Sequence, residues 1–407
     1  MHKVDKIKLG FIGLGRRGKV LLKNILDLRK DVDVVAGCDL YLDRVDDFKA
    51  LVNEKRGTEP RGYGSADELL ADGEVNTVII SASWEAHVPL AIATMRAGKI
   101  TGLEVGGAYS LDDCFALVKA YRETGTPFMF LENCCFGKNE LLATSLVRKG
   151  LFGEVVYCHG AYCHDLREQI ANGAANRHYR LRNYLARNCE NYPTHELGPI
   201  AKILNINRGN RMITLSSVAT KARGMSEFLK TQGEPKELLD KNFMQGDVVS
   251  THITCADGSV ISLKLDTTLP HFYSREFTVS GTKGMYKEDG NLVFIDGKDN
   301  HKDAAHQHYN NAEAYHGEYL PKEWKTLTQE EMEAGHDGMD TLTLKAFFRC
   351  AQTGEEMPID VFDAAAWMAI TCLSETSIKS GGLPVEIPDF TSGEWVLRDP
   401  KDIVEWN

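Results

Sequence analysis

At 407 residues, with 43% hydrophobic and 26% charged side chains, the chain is long enough to bury two cores and has the composition of neither a disordered nor a fibrous protein. Its formal net charge of −11, with basic residues scattered rather than blocked, argues against nucleic acid or an anionic membrane surface as a partner. The first residues run into a strand without an apolar leader and no apolar run is long enough for a bilayer, so a cytoplasmic protein acting on small molecules is expected.

The first strand reads from Lys8 to Ile12 and is followed by Gly13, Gly15 and Gly18 in GxGxxG spacing, with a helix from about Gly18 to Leu28. In that context Gly13 permits a tight turn, Gly15 lets the backbone approach a diphosphate, and Gly18 lets the helix pack close to the strand. The helix N-terminus then offers free N–H groups to the phosphates. A second buried strand, Val32 to Cys38, ends at Asp39, about twenty residues on, where a carboxylate would accept the adenosine ribose hydroxyls and favour NAD over NADP. Arg16 and Arg17 in the loop are the counter-evidence, since guanidinium groups could meet a 2′-phosphate.

Further strands from Thr77 to Ala82, Ile100 to Glu104 and Pro127 to Leu131 alternate with helical stretches at Ala66 to Leu70, His87 to Ala97 and Leu111 to Glu123, the rhythm of a doubly wound parallel sheet. Ser81, Trp84 and His87 follow a strand's carboxyl end, where ligands of such folds sit; a capping loop with a packed Trp84 is the equal alternative for each. From about Glu132 the pattern changes to helices and alternating strands: Glu154 to Tyr162, Met212 to Ala222, Val248 to Cys255, Ser259 to Thr267 and Phe277 to Ser280. These predict an α+β domain with a largely antiparallel open sheet. Polar stretches from Gly224 to Gly246 and Gly297 to Gly317 read as excursions, and helices at Thr341 to Ala351 and Val361 to Ser380 precede a tail containing Pro384 and Pro388. The division is an NAD-binding Rossmann domain over 1–132, a substrate-binding and oligomerisation domain over 133–390, and a tail over 391–407.

The ten cysteines lack metal-site spacing, and although His159 and His164 lie near Cys158 and Cys163, alternation along a strand does not converge them, so no metal is expected. Between Ala161 and Arg211 aromatic, histidine and amide residues are dense. In Asn191-Tyr-Pro-Thr-His195, Thr194 reads as an N-cap, which fixes His195 on the first helical turn and biases it toward the neutral form that accepts a proton. Taken alone, such a histidine is more often structural.

Several strings together carry a resemblance: the glycine loop, Glu104-Val-Gly-Gly, Glu132-Asn-Cys-Cys-Phe136-Gly, His164-Asp-Leu-Arg167, Asn191-Tyr-Pro-Thr-His195, Leu265-Asp-Thr-Thr-Leu-Pro270 with Tyr273-Ser-Arg275, and Gly335-His-Asp-Gly-Met-Asp340. Across both domains the chain resembles the Gfo/Idh/MocA oxidoreductase superfamily and, within it, glycoside hydrolase family 109, the NAD-dependent α-N-acetylgalactosaminidases. Sugar dehydrogenases of the superfamily carry Glu-Lys-Pro where this chain has Glu104-Val105-Gly106, and aspartates where it has Asn191 and Gly198 around His195. Both departures match the hydrolase branch; Phe136 and Glu196 depart from that branch, which commonly has tyrosine and glycine there.

The resemblance implies a small glycoside as substrate, NAD as a recycled catalyst, and a homo-oligomer. It implies proton work by His195 with Tyr192, acid/base or positioning roles for Tyr273 and His164, sugar contacts from Asp165, Arg167 and Asn191, and cofactor contacts from Glu104 and Asn133. A sugar oxidoreductase releasing a 3-keto or lactone product is the alternative.

Overall fold

The computed structural model describes residues 3–299 and 310–405, and the chain forms two compact units. The first comprises residues 1–136 and 323–365, the second residues 137–322 and 366–407. Packing thus returns residues 323–365 to the Rossmann unit, a grouping that a division running along the chain at residue 132 does not make.

In the first unit, β1 (Ile7–Ile12), α1 (Arg16–Leu28), β2 (Val32–Cys38), α2 (Leu42–Arg56), β3 (Arg61–Tyr63), α3 (Ala66–Ala71), β4 (Thr77–Ile80), α4 (Trp84–Arg96), β5 (Ile100–Leu103), α5 (Leu111–Thr124) and β6 (Phe128–Phe130) follow one another. Their six strands pair in the order β3-β2-β1-β4-β5-β6, all parallel, which is the dinucleotide-binding strand order. β1 and β4 are buried nearly throughout, as strands covered on both faces must be. The helix α2 and strand β3 are absent from the sequence reading. α2 is charge-rich and buries only Val45, Phe48 and Val52, and β3 is a short edge strand. α4 begins at Trp84 rather than His87, which places Pro89 inside the helix, beyond the first turn.

The second unit contains α6 (Lys138–Arg148), β7 (Val155–Cys163), α7 (Arg167–Ala171), α8 (Arg180–Ala186), α9 (Thr194–Ile203), β8 (Met212–Ala219), α10 (Gly224–Gln232), β9 (Val248–Cys255), β10 (Val260–Asp266), β11 (Thr278–Gly281), β12 (Gly284–Lys287), β13 (Leu292–Ile295) and α11 (Glu313–Tyr319). Short helices α12 (Lys322–Lys325) and α13 (Gln329–Glu333) lead to α14 (Met339–Thr353), and α15 (Val361–Lys379) and β14 (Val385–Glu386) follow. Eight strands pair as β13-β12-β11-β7-β10-β9-β8-β14; every pair is antiparallel except β7 with β10. β9 alternates buried and accessible residues, the mark of a sheet packed on one face. Of the two polar excursions, the first contains α10, and the second includes residues 300–309, which lie outside the described residues.

Candidate active site

In the first unit the glycine loop is explained residue by residue. Gly13 has φ +92°, and a Cβ there would lie 2.6 Å from Ala82 N and from Ser81 C. A Cβ on Gly18 would meet the Gly13 carbonyl oxygen at 2.3 Å. Gly15 differs: its nearest neighbour would be the Arg44 guanidinium at 3.5 Å, so protein packing does not require a glycine there. Gly15 also stands at the start of α1 without a side-chain cap on the helix. An open glycine and an uncapped helix N-terminus fit a dinucleotide's diphosphate.

Asp39, 8% exposed, accepts hydrogen bonds from Leu14 N at 2.8 Å and Tyr41 N at 3.0 Å, so its carboxylate ties β2's end to the glycine loop. Arg44 Nη1 stands 3.4 Å from it. Arg16 is exposed and rims a groove of about 510 Å³ with Lys19, Lys23 and Arg44 over Leu14 and Leu51.

Other expected cofactor residues have partners within the protein. Ser81 donates its hydroxyl to the Gly13 carbonyl at 2.7 Å, bracing the loop. Trp84 is buried against Gly106, where a Cβ would lie 2.4 Å from the indole. His87 is buried, its Nε2 3.1 Å from the Ala82 carbonyl, and burial pushes its pKa down to about 4. α4 starts early enough to set Trp84 and His87 in buried positions at the end of β4.

Arg17 is likewise committed within the protein. It donates from Nε to Glu104 at 2.9 Å and from both terminal nitrogens to Asp340 at 2.6 and 2.8 Å. Burial alone would raise the Asp340 pKa, but Arg17 and then His336 outweigh it and hold the carboxyl well below the usual range. Asn133, 2% exposed, donates to the same carboxylate at 2.8 Å. Arg17, Glu104 and Asn133 therefore meet at Asp340, a residue outside the expected set. Sequence distance hid this convergence, since Asp340 lies far along the chain on α14.

In the second unit three tyrosines and two histidines gather. Gly160 on β7 lets α9 approach: a Cβ there would lie 2.8 Å from the Glu196 Cβ. The turn before α9 then sets Tyr192 Oη 3.3 Å from His195 Nε2, so the three-residue spacing does bring these side chains together. α9 starts at Thr194 itself, with Pro193 in the capping position, and the buried Thr194 hydroxyl has no partner among the described residues; it is not the expected cap. Tyr162 and His164 share one face of β7 and its extension, Tyr162 Oη lying 3.2 Å from His164 Nδ1. Paired backbone bonds of 3.0 Å between Cys163 and Ser274 bring Tyr273 alongside, its ring 5.3 Å from that of His164 and 6.3 Å from that of Tyr162. Tyr162 is the centre of the group, 4.8 Å from Tyr192 and 5.6 Å from His195.

Arg180 is buried with its guanidinium 5.1 Å over the Tyr192 ring. Burial opposes its charge, but Tyr162, Tyr179, Tyr184 and Tyr192 outweigh that and hold its pKa above the ordinary value. Tyr162 and Arg180 were not among the expected site residues. The period of two along β7 links Tyr162 to His164 and could have marked the tyrosine, whereas nothing local marks Arg180.

Three expected sugar contacts have partners within the protein. Asp165 and Arg167 form a two-bond pair at 2.8 and 2.6 Å, with Arg167 stacked 5.0 Å over Phe228. Asn191 is 1% exposed and donates to Gln245, so it is a buried brace. Behind the Tyr192 turn, burial pushes the Glu190 pKa up to about 8 against hydrogen bonds from Glu196 and Tyr192 N. Both carboxyls are buried, so Glu196 is an interior group rather than a surface partner of the helix dipole.

Cys163, His271 and Glu276 offer sulfur, nitrogen and oxygen donors within 4.8 Å of one another. Glu276, however, already pairs with Lys264 and with His159 at 3.0 Å, which with burial opposing hold its pKa at about 2. The charge that a metal would neutralise is neutralised by the protein.

Fold and residues together define a two-part protein with an NAD-binding Rossmann unit and a polar, aromatic-rich second unit. Residues 7–131 match the oxidoreductase family with NAD-binding Rossmann fold, and residues 136–397 match the C-terminal domain of glycosyl hydrolase 109. A family 109 protein of Stenotrophomonas maltophilia is 37% identical over 97% of this chain and 91% of its own length. The α-N-acetylgalactosaminidase of Tannerella forsythia is 35% identical over 97% and 88%. The chain belongs to glycosyl hydrolase family 109 and is a glycoside hydrolase that uses NAD. Among solved structures, an NAD-binding oxidoreductase from Klebsiella pneumoniae superposes with a TM-score of 0.69 at 16% identity, covering 95% of this chain and 100% of that one. An Agrobacterium radiobacter oxidoreductase in complex with NAD+, L-tartaric acid and magnesium gives 0.67 at 17% identity, covering 94% and 98%. At such identities the likeness speaks for the fold alone. Among the described residues no helix is long and apolar enough to cross a membrane.

Proposed function

We propose that the chain hydrolyses small glycosides of the α-N-acetylgalactosaminide class by redox elimination, with NAD as a recycled catalyst. When bound, NAD supplies reversible hydride transfer at carbon 3 of the sugar, which acidifies the carbon 2 proton so that the aglycone leaves carbon 1 by elimination before water adds. The residues available to hold NAD are the open Gly15, the N-terminus of α1 and Asp39. Asp39 supports NAD over NADP, because a carboxylate at the end of β2 accepts ribose hydroxyls and repels a 2′-phosphate.

The observation that carries the reading is the Tyr192–His195 contact of 3.3 Å inside the aromatic cluster. His195 is the proton acceptor for the sugar, and Tyr192 passes or orients the proton. Tyr162, with its hydroxyl against His164, forms a second acid/base pair suited to the leaving oxygen, and the half-exposed Tyr273 contacts substrate. Arg180, stacked over the Tyr192 ring, sets a positive charge beside the tyrosines of this cluster. Val105 stands where the dehydrogenases carry lysine, which is consistent with chemistry other than net oxidation.

An aryl glycoside panel assayed with and without added NAD+ tests the reading. Hydrolysis without net NADH, with deuterium entering carbon 2 of product formed in deuterium oxide, is expected. NADH released in equal amount with a 3-keto sugar would decide for the oxidoreductase alternative.

A further inference from the structure

Arg44 is held where the cofactor's adenosine ribose would meet the protein. It lies in the first turn of α2, with its guanidinium carbon 4.8 Å from the centre of the Tyr41 ring and its Nη1 3.4 Å from Asp39 Oδ2. The same nitrogen would stand 3.5 Å from a Cβ on Gly15, so the group reaches from the end of β2 to the glycine loop. Its side chain is 20% exposed against 7% for that of Asp39, which makes the cation the more accessible of the pair. An acid at the end of such a strand faces the ribose hydroxyls, and an arginine near it is the group that accommodates a phosphate on the 2′ oxygen.

The charge around Arg44 decides what it can receive. It lines one groove with Arg16, Lys19 and Lys23, and no carboxylate is among the groove's lining residues. The three α1 residues are spaced by three and four, on one exposed face of the helix. Lys19 pairs with Asp47 and Arg44 with Asp39, whereas Arg16 and Lys23 make no ion pair among the described residues. The groove therefore carries cations in excess, as a phosphate requires. Asp39 opposes an anion there, but each of its oxygens accepts a backbone N–H, from Leu14 and from Tyr41, and Oδ2 also faces Arg44. These donors offset part of its charge.

We propose that Arg44, with Arg16 beside it, is a specificity-determining residue that seats a phosphate on the 2′ oxygen of the cofactor's adenosine ribose, so that the protein binds NADP as well as NAD. The proposal rests on the NAD reading of the first unit. Asp39 keeps NAD the tighter ligand, and Arg44 narrows the difference. The nicotinamide end is the same in both dinucleotides, so a cofactor recycled in place serves the same hydride transfer with or without the phosphate.

Titration calorimetry of NAD+ and NADP+ against the full-length protein tests this. Wild type should bind NADP+ on the order of tenfold more weakly than NAD+. Arg44→Gln, which can still donate to Asp39 but carries no charge, should weaken NADP+ by roughly a further tenfold and leave NAD+ nearly unchanged, and Arg44→Lys should recover part of the loss. Arg16→Ala, at an exposed position outside the core, should show the same selective loss in smaller measure. Equal losses for the two cofactors in Arg44→Gln would overturn the proposal and make Arg44 a brace of Asp39; if that variant melts well below wild type, equal losses in Arg16→Ala overturn it instead. A wild-type protein that binds NAD+ but not NADP+ would also overturn it, whereas one that binds neither would overturn the NAD reading itself.

Discussion

Tyr192 Oη and His195 Nε2 are 3.3 Å apart on the turn that enters α9, with their rings edge to face at a centroid distance of 4.7 Å. The contact joins an imidazole to a phenol, with the buried Arg180 stacked over the tyrosine ring.

His195→Ala is therefore expected to lower turnover by roughly a hundredfold or more, the range of a general acid or base, with NAD affinity unchanged. Tyr192→Phe should give a smaller loss. Steady-state kinetics on an aryl glycoside, with cofactor titration alongside, check both.

The two helix-facing glycines separate fold from function. Gly18→Ala places a Cβ 2.3 Å from the Gly13 carbonyl oxygen and 2.8 Å from Ser81 Oγ, so thermal unfolding should occur at a clearly lower temperature. Gly15→Ala meets nothing nearer than 3.5 Å, so the melting temperature without cofactor should hardly change while NAD affinity falls. Melting curves with and without NAD+ distinguish the two outcomes.

Arg17 binds two carboxylates whose side chains are 6% and 1% exposed. Arg17→Met leaves both without their cation, and a loss of about 3 kcal/mol of stability is expected from denaturant unfolding, the usual cost of orphaning buried charge. Replacing Glu104 by Gln in the same background should recover part of it.

Glu190 predicts a pH dependence. Its folded pKa of about 8 exceeds the ordinary 4.5, so the native state binds more protons than the unfolded chain across that window, and stability falls as pH rises through it. Glu190→Gln, which stays neutral, should gain melting temperature relative to wild type progressively from about pH 4.5 to about pH 8. A difference that is flat with pH would show that Glu190 does not titrate in this range.

Much of the Rossmann unit follows from local sequence. Strand, glycine spacing, helix and terminal acid occur within one short stretch, and each has a steric or electrostatic meaning that needs no distant partner, so the turn at Gly13 and the close packing at Gly18 were legible with their reasons, and Asp39 with its place at the end of β2. The Tyr192–His195 contact was legible for the same reason, because one helical turn spans it. Where a side chain's partner is remote, the local sequence does not show it. Arg17 meets Asp340 on α14, Asn191 meets Gln245, and His87 is turned inward by α4 toward the Ala82 carbonyl. Tyr162, Arg180 and Tyr273 become one cluster only because β7, α8 and the segment after β10 are brought together. Sequence fixes what a residue can donate, accept or fit. Which partner saturates it is decided by packing, because a buried polar group binds whatever the fold sets beside it.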